Sequence, residues 1–366
     1  MYAQSNGVGE GLPDRLYLDH AATTPVLPAA AAAVAEGLAR WANPSSPHAP
    51  GRAARAALED ARRRIADSLG WTGEVILTGG CSEACALAID RTQADAVLFA
   101  ATEHDAIRRP AQAEGYALPV VSDGCVSTEA LAGRLGALAA RHPLVAIQHV
   151  NSETGVIQPL DRLGEIVAQA NGVLLVDAAQ SAGKLPLPRA DLIAVSAHKF
   201  GGPPGIGALL VQDLGLLQAV GGQEQGYRPG TENLPGALGM AAALEAGSGW
   251  MARAADLRAH CDAAIEAGGG EVIARRAERS PAIASYRMPG TAAAAQLIQF
   301  DLAGIAVSAG SACSSGSLKP SHVLQAMGIE AGAAAEVIRV SFGPDTTRSD
   351  VYRFLDAWRR IAGKAG

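Results

Sequence analysis

The sequence predicts an α/β chain of two domains: a mostly parallel sheet flanked by helices, followed by a smaller α+β domain. Three observations predict it. Short apolar runs recur between longer Ala-rich segments of helical spacing. Those runs do not alternate with polar residues, as expected of strands buried on both faces. The length, 366 residues, exceeds one ordinary domain of roughly 100–200 residues.

The strand-like runs are Glu74–Leu77, Ala96–Ala100, Leu144–His149, Val173–Val176, Leu192–Ser196 and Ile206–Val211. Helical spacing covers Pro28–Trp41, Ala53–Leu69, Ser82–Asp90 and Leu160–Gln169, then one long helix from about Leu234 to Ala267. That helix leads out of the first domain. Beyond it come strand-like Ala282–Arg287, a helix near Ala293–Asp301, strand-like Ile305–Ser308 and Val337–Phe342, and a final helix near Thr347–Ile361. Residues 15–252 are expected to form the large domain, and residues 1–14 plus 253–366 the small one.

Bulk composition narrows the function. The hydrophobic fraction is 49% and the charged fraction 18%, enough for a large core. Net charge is -6 without a long basic run, which argues against nucleic acid as the main partner. No apolar run reaches the roughly 18 residues of a membrane span, and residues 1–14 do not read as a signal peptide. Five cysteines, Cys81, Cys85, Cys125, Cys261 and Cys313, form no CxxC pair. A disulfide framework or a metal site is not expected, and a cytoplasmic setting is.

In open parallel sheets, ligands bind beyond the carboxyl ends of the strands, and these positions carry the chemistry. One apolar run ends in Asp177 and the next in Ser196, followed by His198 and Lys199. An acid and an amine so placed suit pyridoxal phosphate (PLP): the lysine forms a Schiff base with the aldehyde, and the acid keeps the pyridine nitrogen protonated. The turn Thr78-Gly79-Gly80-Cys81-Ser82 joins a strand to a helix and suits a phosphate, with Ser82 adding a hydroxyl. His104, after the strand ending at Ala100, offers a flat imidazole to stack on the ring and exchange protons.

Several stretches together resemble the cysteine desulfurases of the class V aminotransferase group, PLP enzymes of the kind that supply sulfur for iron–sulfur clusters. They are Tyr17-Leu18-Asp19-His20-Ala21-Ala22-Thr23-Thr24-Pro25, Asn43-Pro44-Ser45-Ser46, Thr102-Glu103-His104, Val176-Asp177-Ala178-Ala179-Gln180, Ser196-Ala197-His198-Lys199, Arg228-Pro229-Gly230-Thr231 and Ser308-Ala309-Gly310-Ser311-Ala312-Cys313. The resemblance implies the PLP-dependent transferase type I fold. It makes Lys199 the Schiff-base lysine, Asp177 the pyridinium partner and His104 the stacking histidine. Cys81, Ser82, Ser152, Gln180, Ser196 and His198 fall at cofactor-binding positions. Thr231 matches a phosphate contact from a second subunit, hence a homodimer. Arg339 and Asn43 match substrate-binding positions, and Arg339 would clamp the carboxylate of L-cysteine. Cys313 matches the thiol that takes up sulfur as a persulfide before passing it to a protein acceptor of unknown identity. Gly and Ser around Cys313 suit a thiol that must travel.

The chain departs from the pattern in three places. Ser152 stands where a second asparagine is usual. Cys81 and Cys85 sit in a turn and helix start where small or polar residues are usual. The chain ends at Gly366, soon after Thr347, where members that dock an iron–sulfur scaffold carry a longer tail. Selenocysteine cleavage, cysteine-sulfinate cleavage and transamination remain open on the same fold, as does a non-catalytic sulfur-relay partner.

Overall fold

The structure, a computed structural model, describes residues 15–111, 115–138, 142–310 and 320–363. Its strands, in chain order, are β1 (Leu16–Tyr17), β2 (Glu74–Thr78), β3 (Ala96–Ala100), β4 (Gly115–Leu118), β5 (Pro143–Gln148), β6 (Val173–Asp177), β7 (Leu192–Ser196), β8 (Gly207–Val211), β9 (Glu271–Val272), β10 (Ile283–Arg287), β11 (Ile305–Ala306) and β12 (Val337–Ser341). Seven form one sheet in the order β2-β8-β7-β6-β5-β3-β4. Strands β4, β3, β5, β6 and β7 run parallel, and β8 is antiparallel to both its neighbours. The expected sheet is therefore present, with β4 added at the edge.

Every residue of β5, β6, β7 and β8 is buried, which explains their unbroken apolar character. Val145, Ile147, Val176 and Ile193 face a core shared with the helices Ala49–Leu69, Leu160–Gln169 and Leu234–Glu245. Leu144, Ala146, Leu175 and Ala194 face the other way, toward Cys81–Arg91 and Asp105–Ala111. Each fully buried Leu or Ile contributes roughly 1.5–3 kcal/mol relative to exposure.

Two helix boundaries differ from expectation. The helix expected from Ala53 begins at Ala49, because Pro50 falls in its first turn, where a missing N–H costs nothing. His48 Nδ1 caps it, accepting from the Gly51 N–H at 3.2 Å. The single helix expected from Leu234 to Ala267 is two, Leu234–Glu245 and Met251–Ala267. Gly247, at φ +75°, turns the chain between them.

A second core gathers around the antiparallel sheet β12-β10-β9 and the helices Met251–Ala267, Ala293–Leu302 and Arg348–Ile361. Phe300 stacks on Phe354 there, and Tyr286 meets Trp358 edge-on. Leu16 and Leu18 belong to this core, and β1 pairs in parallel with β11. The segment after β1 then crosses to the large sheet. Among the described residues, no helix is long and apolar enough to cross a membrane.

Candidate active site

Asp177 closes β6, Ser196 closes the neighbouring strand β7, and Lys199 follows in a single 3-10 turn, Ala197–Lys199. The segment crossing from β1 joins them. The carbonyl of Ala21 accepts from Lys199 Nζ at 2.8 Å and from Gln180 Nε2 at 2.8 Å. Lys199 also donates to Ala22 O at 2.9 Å. Thr24 N donates to His198 O at 2.8 Å. Asp177 is buried, and Ala179 N donates to its Oδ1 at 2.8 Å.

The turn before Cys81–Arg91 supplies an anion seat. Gly80 stands at φ +150°, a conformation open to glycine alone, and releases the first amides of the helix. Ser82 is exposed on that first turn. The turn lies tight against β8. A Cβ on Gly207 would fall 2.4 Å from Val195 O and 2.7 Å from Gly80 Cα, and one on Gly80 would meet Ser196 Oγ at 3.5 Å. The glycines thus bring the turn against the end of β7. Arg228 holds the turn from outside, its Nε 2.6 Å from Glu83 Oε1.

His104 is half-buried, and its Nδ1 accepts from Ala106 N at 3.1 Å, leaving the ring proton on Nε2. His198 is also half-buried, with Nδ1 3.2 Å from Thr23 Oγ1. Burial, then the charges of Lys199 and Lys184, push its pKa down to about 4, so it is neutral at pH 7.

Arg339 lies in β12, paired with Ser285 on one side and bridged to Ser308 on the other. Its Nη2 donates to Asp19 Oδ1 at 2.7 Å and its Nη1 to Ser152 O at 3.0 Å. Nε is buried without a protein partner. Ser152 thus meets Arg339 through its backbone. Its neighbour Asn151 is spent on the turn, with Oδ1 accepting from Glu153 N, Thr154 N and Thr154 Oγ1.

The structure brings Lys199, Asp177, Gln180, Ser196 and His198 together and ties Arg339 to Ser152. Asn43 and Thr231 lie exposed. Cys313 lies outside the described residues. The Cys81 thiol faces Asp177 Oδ1 at 3.2 Å and Cys85 Sγ at 3.8 Å. As the first helical residue, Cys81 turns its side chain inward, while Ser82 turns out to solvent.

Sequence reasoning missed three charged residues. Asp19, quoted above without a role, orients Arg339. Glu103 is fully buried, and burial, then the charge of Asp177, raises its carboxyl well above the usual range. Its Oε1 accepts from Gln148 N at 2.7 Å. Lys184 is buried, and burial, then Lys199, brings its pKa down to about 7. No local pattern marks these residues, because their burial arises from distant segments.

Residues 16–354 match the aminotransferase class-V family. The chain is 34% identical over 376 residues to the cysteine desulfurase IscS of Dictyoglomus turgidum, covering 95% of each. It is 36% identical over 374 residues to an IscS-like cysteine desulfurase of Mycobacterium tuberculosis, covering 93% of this chain and 94% of the other. The structure of a NifS-like protein from Rickettsia africae superposes with a TM-score of 0.87 at 27% identity, over 95% of this chain and 99% of that one. A PLP-dependent enzyme of the aminotransferase class-V group is what this fold and site define. Within it, the chain belongs to the cysteine desulfurase family.

The residues present fit PLP. Gln180 Oε1 is a buried acceptor without a protein partner. Asp177 Oδ2 carries no hydrogen bond among the described residues, and the uncapped first turn of the helix Cys81–Arg91 offers amides to a phosphate.

Proposed function

We propose that this cysteine desulfurase takes sulfur from L-cysteine, releases L-alanine and holds the sulfur as a persulfide on Cys313 for transfer to a protein acceptor. One observation carries the reading: a buried carboxylate, Asp177, closes the strand beside the one that leads to Lys199, and Lys199 and Gln180, three residues after Asp177, both donate to the Ala21 carbonyl.

Lys199 would hold the cofactor aldehyde, Asp177 the ring nitrogen, and Ser82, Ser196, His198 and the helix amides the phosphate. Gln180 and Ser152 would flank the ring, and Cys81 reaches it through Asp177. When bound, PLP supplies an electron sink for the bonds at the substrate's Cα. Lys199 would be the base that takes the Cα proton. The guanidinium of Arg339, preset by Asp19 and the Ser152 carbonyl, orients the substrate carboxylate. His104 carries its proton on Nε2 and can return one to the product. The Cys313 thiolate attacks the substrate sulfur: an S–S bond forms as the Cβ–S bond breaks, and the three-carbon remainder leaves as L-alanine after taking up protons.

The separate core around β12-β10-β9 supports a small domain over the residues after 252, which Leu16 and Leu18 join from the start of residues 15–252. Thr231, exposed just beyond the Arg228–Glu83 pair, supports a phosphate contact to a second copy and hence a homodimer. Exposed Leu38 and Trp41 are apolar surface of the kind such a dimer covers. Free Cys81, Cys85, Cys125 and Cys261 suit a reducing cytoplasm.

The test is the purified protein with L-cysteine and a thiol reductant, scoring alanine and sulfide. Cys313→Ser is expected to keep its bound cofactor and lose sulfide release. Full sulfide release by that variant would move the acceptor to another thiol.

A further inference from the structure

The departure at Cys81 has a physical account. Cys81 and Cys85 face the same way from one helix, one turn apart, and both are buried. On one side lie Ile76, Ala84, Ala88, Phe99 and Ala194. On the other, Cys81 Sγ stands 3.2 Å from Asp177 Oδ1, within the range of an S–H···O hydrogen bond. Its contact with Cys85, burial and the charge of Asp177 all keep the Cys81 thiol protonated. Cys85, 3.8 Å away, can donate to the Cys81 sulfur, which leaves the Cys81 proton for the carboxylate. A thiol suits the place because it packs against apolar neighbours and still donates.

Both donors to Asp177, Ala179 N and Cys81 Sγ, fall on Oδ1. They fix the carboxylate plane and leave Oδ2 for the cofactor. A carboxylate oxygen held facing a ring nitrogen favours the proton on that nitrogen.

We propose that Cys81 is a positioning residue for the reaction, donating its S–H to Asp177 so that the acid faces the cofactor ring nitrogen in one fixed orientation. This rests on the reading of Asp177 as the ring-nitrogen partner. The holoenzyme tests it with the cofactor nitrogen isotopically labelled and observed by NMR, beside cofactor release into buffer. Cys81→Ala is expected to move the ring-nitrogen resonance toward the unprotonated pyridine value and to release cofactor about tenfold faster, the order of one charge-assisted hydrogen bond. Cys81→Ser, which restores a donor, is expected to return both to the parent values. A simple packing role would not move the resonance. If Asp177→Asn shifts the resonance and Cys81→Ala does not, the proposal falls while the Asp177 reading stands. If Cys81→Ala and Cys81→Ser shift it equally, a donor is not what matters, and the proposal also falls. If Asp177→Asn leaves it unmoved, the Asp177 reading fails and takes this one with it.

Discussion

Asp19 Oδ1 stands 2.7 Å from Nη2 of Arg339, while the Ser152 carbonyl takes Nη1 at 3.0 Å. The guanidinium is thus fixed in plane before any substrate arrives, with Nε unused by the protein. A preset arginine saves the ordering cost of binding a carboxylate.

Asp19→Ala should therefore raise KM for L-cysteine about tenfold with a smaller change in kcat, since it loosens binding more than bond breaking. Asp19→Asn, which keeps an acceptor, should fall between. Steady-state alanine production measures both constants. An unchanged KM in Asp19→Ala would mean that Arg339 finds its orientation without help.

Lys199→Ala should purify without the visible absorbance of lysine-linked cofactor, while its far-ultraviolet circular dichroism matches the parent. Lys199 Nζ donates to the main-chain carbonyls of Ala21 and Ala22, and the circular dichroism checks that the fold survives its loss. A variant with the parent's full band would reassign the linkage to another amine.

Burial holds His149 near a pKa of about 4, with Asp161 opposing, and holds His20 there as well. A folded pKa below the usual 6.5 makes the stability these groups allow complete above about pH 6.5. That stability is lost as pH falls through 4. At 1.36 kcal/mol per unit, His149 accounts for at most about 3 kcal/mol of that loss. His149→Gln should flatten the fall in urea-unfolding midpoint between pH 7 and pH 4.5. Parallel curves for variant and parent would show that His149 titrates normally in the fold.

Lys184 is another base held in the interior, its pKa down from 10.5 to about 7 through burial and then Lys199. The unfolded chain takes up this proton as pH falls below about 10.5, and the folded chain resists until near 7, so stability drops across that window. Lys184→Met removes the term. Its thermal midpoint should exceed the parent's at pH 7, and the gain should shrink toward pH 10. A lower midpoint at pH 7 would reveal an interaction that repays burial of the amine.

The large sheet was legible because β5 to β8 are buried on both faces and carry apolar residues at every position but their ends. Asp177 and Lys199 were legible for the same reason, as polar residues closing apolar runs. Strand β4 was not: Tyr116 and Ala117 are exposed at a sheet edge, and its sequence has no strong period. The break between Glu245 and Met251 was hidden because the spacing on either side is helical, and only the φ of Gly247 interrupts it. Asp19 was unreadable as an arginine partner because 320 residues separate it from Arg339. The contact of the Cys81 thiol with Asp177 was unreadable because it forms only when β6 packs beneath the helix.

Gly207 has no side chain to offer a cofactor, yet the turn and β8 come so close there that a single methyl would collide with main chain on both sides. Anyone screening random mutants by colony colour should expect bleached clones to map to this residue as readily as to those that grip the vitamin. The bleaching would come from a displaced neighbour, with every gripping residue still in place.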